Sequence, residues 1–262
     1  MSRDQDPTTQ SSSSLFGERE SAAKTRLDGT LPVIVRVDGV RFSTYTRHLQ
    51  APADESFIEA MNAAAKAIAK QIPQVEYVFV QSDEVNVLIR PSETGDLPYG
   101  GGVQKLASIC ASVASTAFNA QRILDDGDHM AVFDGRAFNI HPDEAGRYFR
   151  WRQQVGWANS MTMTAGVWYS HKRLDRISVP HRRALIGAIG EDPDFTPHGF
   201  RHGRHLYLEM TSGVSEFTNT KTGETGTAEF NRLKPVFGDA PERGIAEFVD
   251  SKARLRPGTR EE

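Results

Sequence analysis

An α+β fold of the ferredoxin-like type, an antiparallel sheet with helices on one face followed by a C-terminal helical and β extension, is what the residue pattern implies. Short apolar runs at 31–37, 75–80, 85–89 and 129–133 have the length of strands. Two longer stretches between them repeat apolar residues at helical spacing. The order is strand, helix, strand, strand, helix, strand, which is the split βαβ arrangement.

The first strand is Leu31 to Val37. Pro52-Ala53-Asp54-Glu55 then opens a helix with Asp54 as its cap, and Phe57, Ile58, Met61, Ala64, Ala65, Ile68, Ala69 and Ile72 form its apolar face until Pro73 stops it. Val75–Val80 and Val85–Ile89 are the second and third strands, flanking Gln81-Ser82-Asp83-Glu84. After a glycine-rich loop, a second helix runs from Val103 on Leu106, Ala107, Cys110, Val113, Ala114, Ala117 and Phe118, and Asp125-Asp126-Gly127-Asp128 breaks it. His129 to Phe133 reads as the fourth strand. Pro142-Asp143-Glu144 opens a third helix bearing Tyr148, Phe149, Trp151, Arg152 and Gln153, and residues 198–234 read as short strands around Thr222-Gly223-Glu224. The expected organisation is a flexible tail over 1–30, a main domain over 31–140, a second region over 141–255 and a loose tail over 256–262.

Composition narrows the class. The chain has 262 residues, 38% hydrophobic and 25% charged, as a globular protein does. No apolar run has the length of a membrane span and no secretory leader is visible, which points to a cytoplasmic protein without membrane contact. The single cysteine, Cys110, excludes an internal disulfide and falls on an apolar helical face, where a packing role is expected. A net charge of -3 gives no global nucleic-acid signature, so RNA contact would depend on local basic residues such as Lys172, Arg173, Arg182, Arg183, Arg201 and Arg204.

Asp38 and Asp83 carry the chemistry. Each tips a strand, and each taken alone is a common turn signal. The topology joins them: a right-handed crossover makes the first two strands parallel, so the end of strand one and the hairpin between strands two and three share one sheet edge. Two carboxylates about 4 Å apart repel by roughly 4 kcal/mol at an effective dielectric of about 20, so they stay ionised together around a cation. Oxygen ligands select Mg²⁺ or Mn²⁺, and two such ions clamp the attacking and leaving oxygens of phosphoryl transfer. The carbonyl of Gly39 is a further candidate ligand. Val40, Arg41, Phe42 and Ser43 offer amides to a triphosphate. Ser82 sits beside Asp83, and Lys105 and Ser108 lie in the first turns of the second helix. Glu84 reads either as another acid of the site or as a solvated turn residue. Tyr99-Gly100-Gly101-Gly102 lacks the spacing of a P-loop and reads as a flexible loop. His198, His202 and His205 lack the partners of a structural zinc site.

Five segments, Arg36-Val37-Asp38-Gly39-Val40-Arg41-Phe42, Gln81-Ser82-Asp83-Glu84, Lys105-Leu106-Ala107-Ser108, Phe133-Asp134-Gly135-Arg136 and Tyr148-Phe149-Arg150-Trp151-Arg152-Gln153, resemble in order and spacing the tRNA-His guanylyltransferase superfamily. Asn159-Ser160 and Tyr169-Ser170-His171-Lys172-Arg173-Leu174 are similar to its bacterial and archaeal guanylyltransferase-like branch. The resemblance implies a polymerase-like palm that adds nucleotides in the reverse, 3′-to-5′ direction. It implies two Mg²⁺ ions on Asp38, Asp83 and the Gly39 carbonyl, and triphosphate held by residues 40–43 and Lys105. It also implies GTP and ATP as substrates, tRNA or a tRNA-like RNA as partner, and a homotetramer. A palm-type nucleotide cyclase or cyclic-oligonucleotide synthetase, and a non-catalytic RNA-binding descendant, are the alternatives.

Overall fold

The computed structural model describes residues 12–22, 24–122, 130–218 and 223–252. Its centre is one six-stranded antiparallel sheet: β1 (Val33–Gly39), β2 (Val75–Gln81), β3 (Glu84–Ile89), β4 (Phe133–Asn139), β5 (Arg204–Thr218) and β6 (Thr225–Asp239), in the order β4-β1-β3-β2-β5-β6. The first four strands have the ferredoxin-like order. The helices are α1 (Ser12–Ala22), α2 (Phe42–Tyr45), α3 (Glu55–Gln71), α4 (Val103–Arg122), α5 (Ala145–Ala165), α6 (His171–Leu174), α7 (Val179–Ala188), α8 (His198–His202) and α9 (Ile245–Lys252).

Strand pleating sends alternate residues to opposite faces. Val33, Val35 and Val37 of β1 and Val85, Val87 and Ile89 of β3 pack with Met61, Ala64 and Ile68 of α3 and Leu106, Cys110 and Phe118 of α4. Asp54 caps α3, accepting from the Phe57 amide at 2.8 Å, as its position before the helix requires. Ile34, Tyr77, Phe79 and Leu88 face the other way, onto Phe149 of α5 and Ile245 and Val249 of α9. Helices therefore cover both faces, the second from the C-terminal part of the chain. Burial on both faces is why β1, β2 and β3 read as continuous apolar runs.

Three elements differ from the sequence reading. The fourth strand begins at Phe133, where the reading ended it; Met130 and Val132 are exposed, and His129 lies outside the described residues. This edge strand buries one side only, so its signal is an alternation through Phe133, Gly135 and Ala137 rather than an apolar run. The expected short strands at 198–234 are instead α8 followed by two strands of 15 residues each. Within the expected N-terminal tail, 12–22 is helical, and residues 25–28 are stitched to the body by an Arg26–Gly102 bridge and by Asn139, whose side chain holds both the amide and the carbonyl of Asp28. The Asp125–Asp128 break, Thr222 of the expected turn and the 256–262 tail lie outside the described residues.

Candidate active site

Asp38 stands opposite Glu84 in the β1–β3 register, and the Gly39 amide donates to the Asp83 carbonyl at 3.1 Å. The two strand ends are thus tied where the sequence placed them. Ser82 and Asp83 form a two-residue turn, with Ser82 in the left-handed region (φ 52°), an unusual conformation for a residue with a Cβ. Burial raises the Asp83 carboxyl above its ordinary value, and the Asp38 charge raises it further. Two acids whose charges oppose each other, with oxygen donors only, fit a divalent cation. Among the described residues, no group of three or more His, Cys, Asp or Glu side chains has metal-holding geometry; the candidate set is two carboxylates and a backbone carbonyl.

A charged network stands behind Asp38. Arg36 Nη2 donates to Asp38 Oδ2 at 2.6 Å and lies 2.5 Å from Glu84 Oε2. Arg152 of α5 forks onto both Glu84 oxygens, at 2.7 and 2.5 Å. The Asn86 amide also donates to Glu84, and the Tyr148 hydroxyl donates to Asn86 at 2.6 Å. Burial pushes the Tyr148 hydroxyl up to about 12, so it stays a donor. Glu84 is therefore neither a solvated turn residue nor a free acid: both its oxygens are engaged by two guanidinium groups, and its place is to hold Arg36 against Asp38. The sequence reading gave Arg36 and Arg152 no site role. Their signal was available, since Arg36 interrupts an apolar strand on the same face as Asp38, and a charge buried there requires partners.

A cavity of about 520 Å³ opens beside the turn. It gathers Phe42, Ser43, Ser82 and Asp83 with Met163, Phe200 and Arg204 from the C-terminal half. Arg41, at φ 58°, turns the chain from β1 into α2. The Val40 amide is spent on the Val132 carbonyl at 2.8 Å, whereas the amides of Arg41, Phe42 and Ser43 meet no acceptor among the described residues. Gly39 also has a packing role. A Cβ there would lie 2.2 Å from the Phe42 ring, so glycine makes room for Phe42, which fills the core against Phe57, Phe118 and Phe133.

Lys105 and Ser108 are exposed on the first turns of α4. Ser108 lines a separate groove with Asp134 and Gly135 of β4, one strand across from Asp38. The glycine loop before α4 is pinned rather than loose: Arg26 donates to the Gly100 carbonyl and the Leu27 amide to the Gly101 carbonyl, each at 2.8 Å. Of the basic residues suggested for RNA, Arg183 and Arg201 close on Asp194, which they hold down to about 2, and Arg204 is buried. Arg182 donates to the Leu174 carbonyl, and Lys172 and Arg173 stay exposed. His198 and His202 have ring centroids 4.6 Å apart, whereas His205 is bonded to the Tyr77 hydroxyl. Cys110 is fully buried and its thiol is pushed up to about 12, as suits packing.

Residues 17–141 match the family model described as tRNAHis guanylyltransferase (Thg1). A bacterial Thg1-like protein solved with ATP superposes with a TM-score of 0.79 at 28% identity, over 94% of this chain and 100% of that one. Over those residues the chain is similar to the Thg1 superfamily. A bacterial Thg1-like structure in complex with GTP gives a TM-score of 0.70 at 27% identity, covering 93% and 99% of the two chains. A probable tRNA(His) guanylyltransferase of Drosophila melanogaster is 29% identical over 148 residues, 53% of this chain; the match spans half of the fly protein's length. The tRNA(His) guanylyltransferase of Saccharomyces cerevisiae shares the Thg1 fold at 20% identity, with a TM-score of 0.61 over 72% of this chain and 91% of its own.

Proposed function

We propose that this protein is a member of the Thg1 superfamily and a Mg²⁺-dependent nucleotidyltransferase that adds GTP or other nucleotides to the 5′ end of tRNA, or of a tRNA-like RNA, in the 3′-to-5′ direction. The observation that carries it is Asp83, which lines a cavity whose volume lies in the range of small-molecule sites and whose carboxyl is raised by the charge of Asp38 on the adjoining strand end. Relatives with the same architecture were solved with ATP and with GTP.

Asp38, Asp83 and the Gly39 carbonyl would hold two Mg²⁺. Bound there, the ions would stabilise charge on the attacking and leaving oxygens of phosphoryl transfer. The chain's own groups do the positioning. Arg36 fixes one Asp38 oxygen and leaves the other for a ligand. The spare amides of Arg41, Phe42 and Ser43, with the Ser82 hydroxyl, receive phosphate oxygens, and Lys105 and Ser108 supply a further phosphate contact. Glu84 and Arg152 are positioning residues. In the reaction, the 3′-hydroxyl of the incoming nucleotide attacks the activated 5′ phosphate of the RNA, releasing AMP after adenylylation by ATP, or pyrophosphate from a 5′ triphosphate. A cytoplasmic homotetramer is the assembly this reading carries.

Labelled GTP incubated with a 5′-truncated tRNA should extend it. Asp38→Ala and Asp83→Ala should each abolish extension while circular dichroism and melting stay those of the folded protein. Wild-type activity in either variant ends the proposal. A cyclic product formed without RNA would identify a palm cyclase instead, and GTP binding without turnover on any RNA end would identify a non-catalytic RNA binder.

A further inference from the structure

Cross-strand partners share a face of the sheet, so Asp134, Arg136 and Phe138 of β4 lie on the side of Asp38, Arg36 and Ile34 of β1. The row runs about 13 Å from Asp134 to Phe138, at roughly 3.3 Å per residue. α5 borders it. The Tyr148 ring meets Phe138 and Trp151 edge-on, each at 5.9 Å between centroids. Burial and the Glu84 charge raise the Tyr148 hydroxyl, whereas Arg152, Arg36 and Arg136 act to lower it, so three guanidinium groups stand around one ring. Arg147, exposed, precedes Trp151 by one helical turn.

Two of these rings are open to solvent. Trp151 is 51% exposed and Phe138 36%. The Arg152 guanidinium lies over one face of the indole, 4.7 Å from its centroid, which leaves the other face for a partner. Arg136 is half-exposed, and its link to Asp134 is long at 3.4 Å. Flat rings beside arginines suit a ligand with flat faces and negative charge. A nucleic-acid strand has both, but it shows its base faces only where it is unpaired. The row starts at Asp38, so it leads away from the candidate metal pair. We propose that this row is a single-strand track: an unpaired stretch of the RNA substrate lies along β4 and α5, one base stacks on Trp151, another packs on Phe138, and Arg136 and Arg147 take phosphates. The inference rests on RNA being the substrate of the proposed function, and it adds which part of the RNA is held and by which residues.

The test is equilibrium binding of a labelled single-stranded RNA decamer, and of an abasic decamer with the same phosphates, to the full chain in Mg²⁺ without nucleoside triphosphates. The decamer with bases should bind at least about tenfold more tightly than the abasic one. It should also quench tryptophan emission, and that quench should shrink in Trp151→Phe while most of the affinity stays. Trp151→Ala should lose about tenfold in affinity for the decamer, and Arg136→Gln should lower the salt dependence of binding by about one phosphate contact. Equal wild-type affinities for the two decamers, or unchanged affinity in folded Trp151→Ala, overturn the inference. So does a Trp151→Ala protein that sediments as a smaller species yet binds RNA as before, which would make this face a contact between subunits. The decamer comparison needs only wild-type protein, so it decides even where a variant misfolds. Asp83→Asn separates the two readings: it should lose nucleotide addition and keep the preference for bases. Wild-type protein that extends tRNA but binds both decamers equally overturns the track alone, and protein that binds no RNA overturns both readings.

Discussion

At Gly39 a missing methyl group decides the shape of the site. The ring of Phe42 occupies the volume a side chain would take, and Phe42 anchors the turn that carries the Arg41–Ser43 amides. Gly39→Ala should therefore cost about 1–3 kcal/mol as an overpacking change, read as a lower denaturation midpoint, and should weaken nucleotide binding as α2 shifts. His205 sets an acid limit. Its ring lies between Tyr207 and Phe248, bonded to the Tyr77 hydroxyl, and burial lowers it from 6.5 to about 4. A histidine depressed in the folded state contributes stability above its unfolded value, and that contribution is lost as pH falls through the folded one. The loss should run from pH 6.5 to 4 and reach up to about 3 kcal/mol. His205→Phe should flatten the stability curve across that window, measured by denaturant melts at several pH values.

Among the elements, α5 is the one whose reach the sequence understated. The helix runs to Ala165, and its Arg152 ties it to β3 through Glu84. Arg152→Met should leave Glu84 to Arg36 and the Asn86 amide and cost about 3 kcal/mol. It should also lower kcat for addition while the KM for GTP holds, because Arg36 would no longer be fixed against Asp38. Unchanged kcat in the folded variant would assign Arg152 to stability alone. The elements that were legible share one trait. The strands β1, β2 and β3 are buried on both faces, and α3 and α4 have broad apolar stripes, so local pattern and final environment agree. β4 was misplaced because an edge strand with Asp134 and Arg136 on its open side has no apolar run to read. The convergence of Asp38 and Asp83 was legible because topology, not local chemistry, produces it. Arg204 was not, since its burial depends on α3, α8 and β6 meeting around it.

Over the whole molecule, the segment that matches the family model stops at residue 141, yet the core does not. Among the described residues, the cluster of Ile34, Tyr77, Phe79 and Leu88 is completed mostly by residues that follow, including Phe149, Ile245 and Val249. A fragment ending at 142 should therefore show no cooperative thermal transition by circular dichroism, despite containing both aspartates. The C-terminal half was hard to read because its strands extend a sheet begun elsewhere. Among the described residues, β5 joins β2 only through Arg204–Tyr207, and beyond that it pairs with β6 alone. A two-stranded ribbon without a third neighbour is marginal by itself. One strand thus begins in a crowded interior and finishes where a single companion steadies it, and its amide protons keep two clocks: slow exchange at the root, fast at the tip.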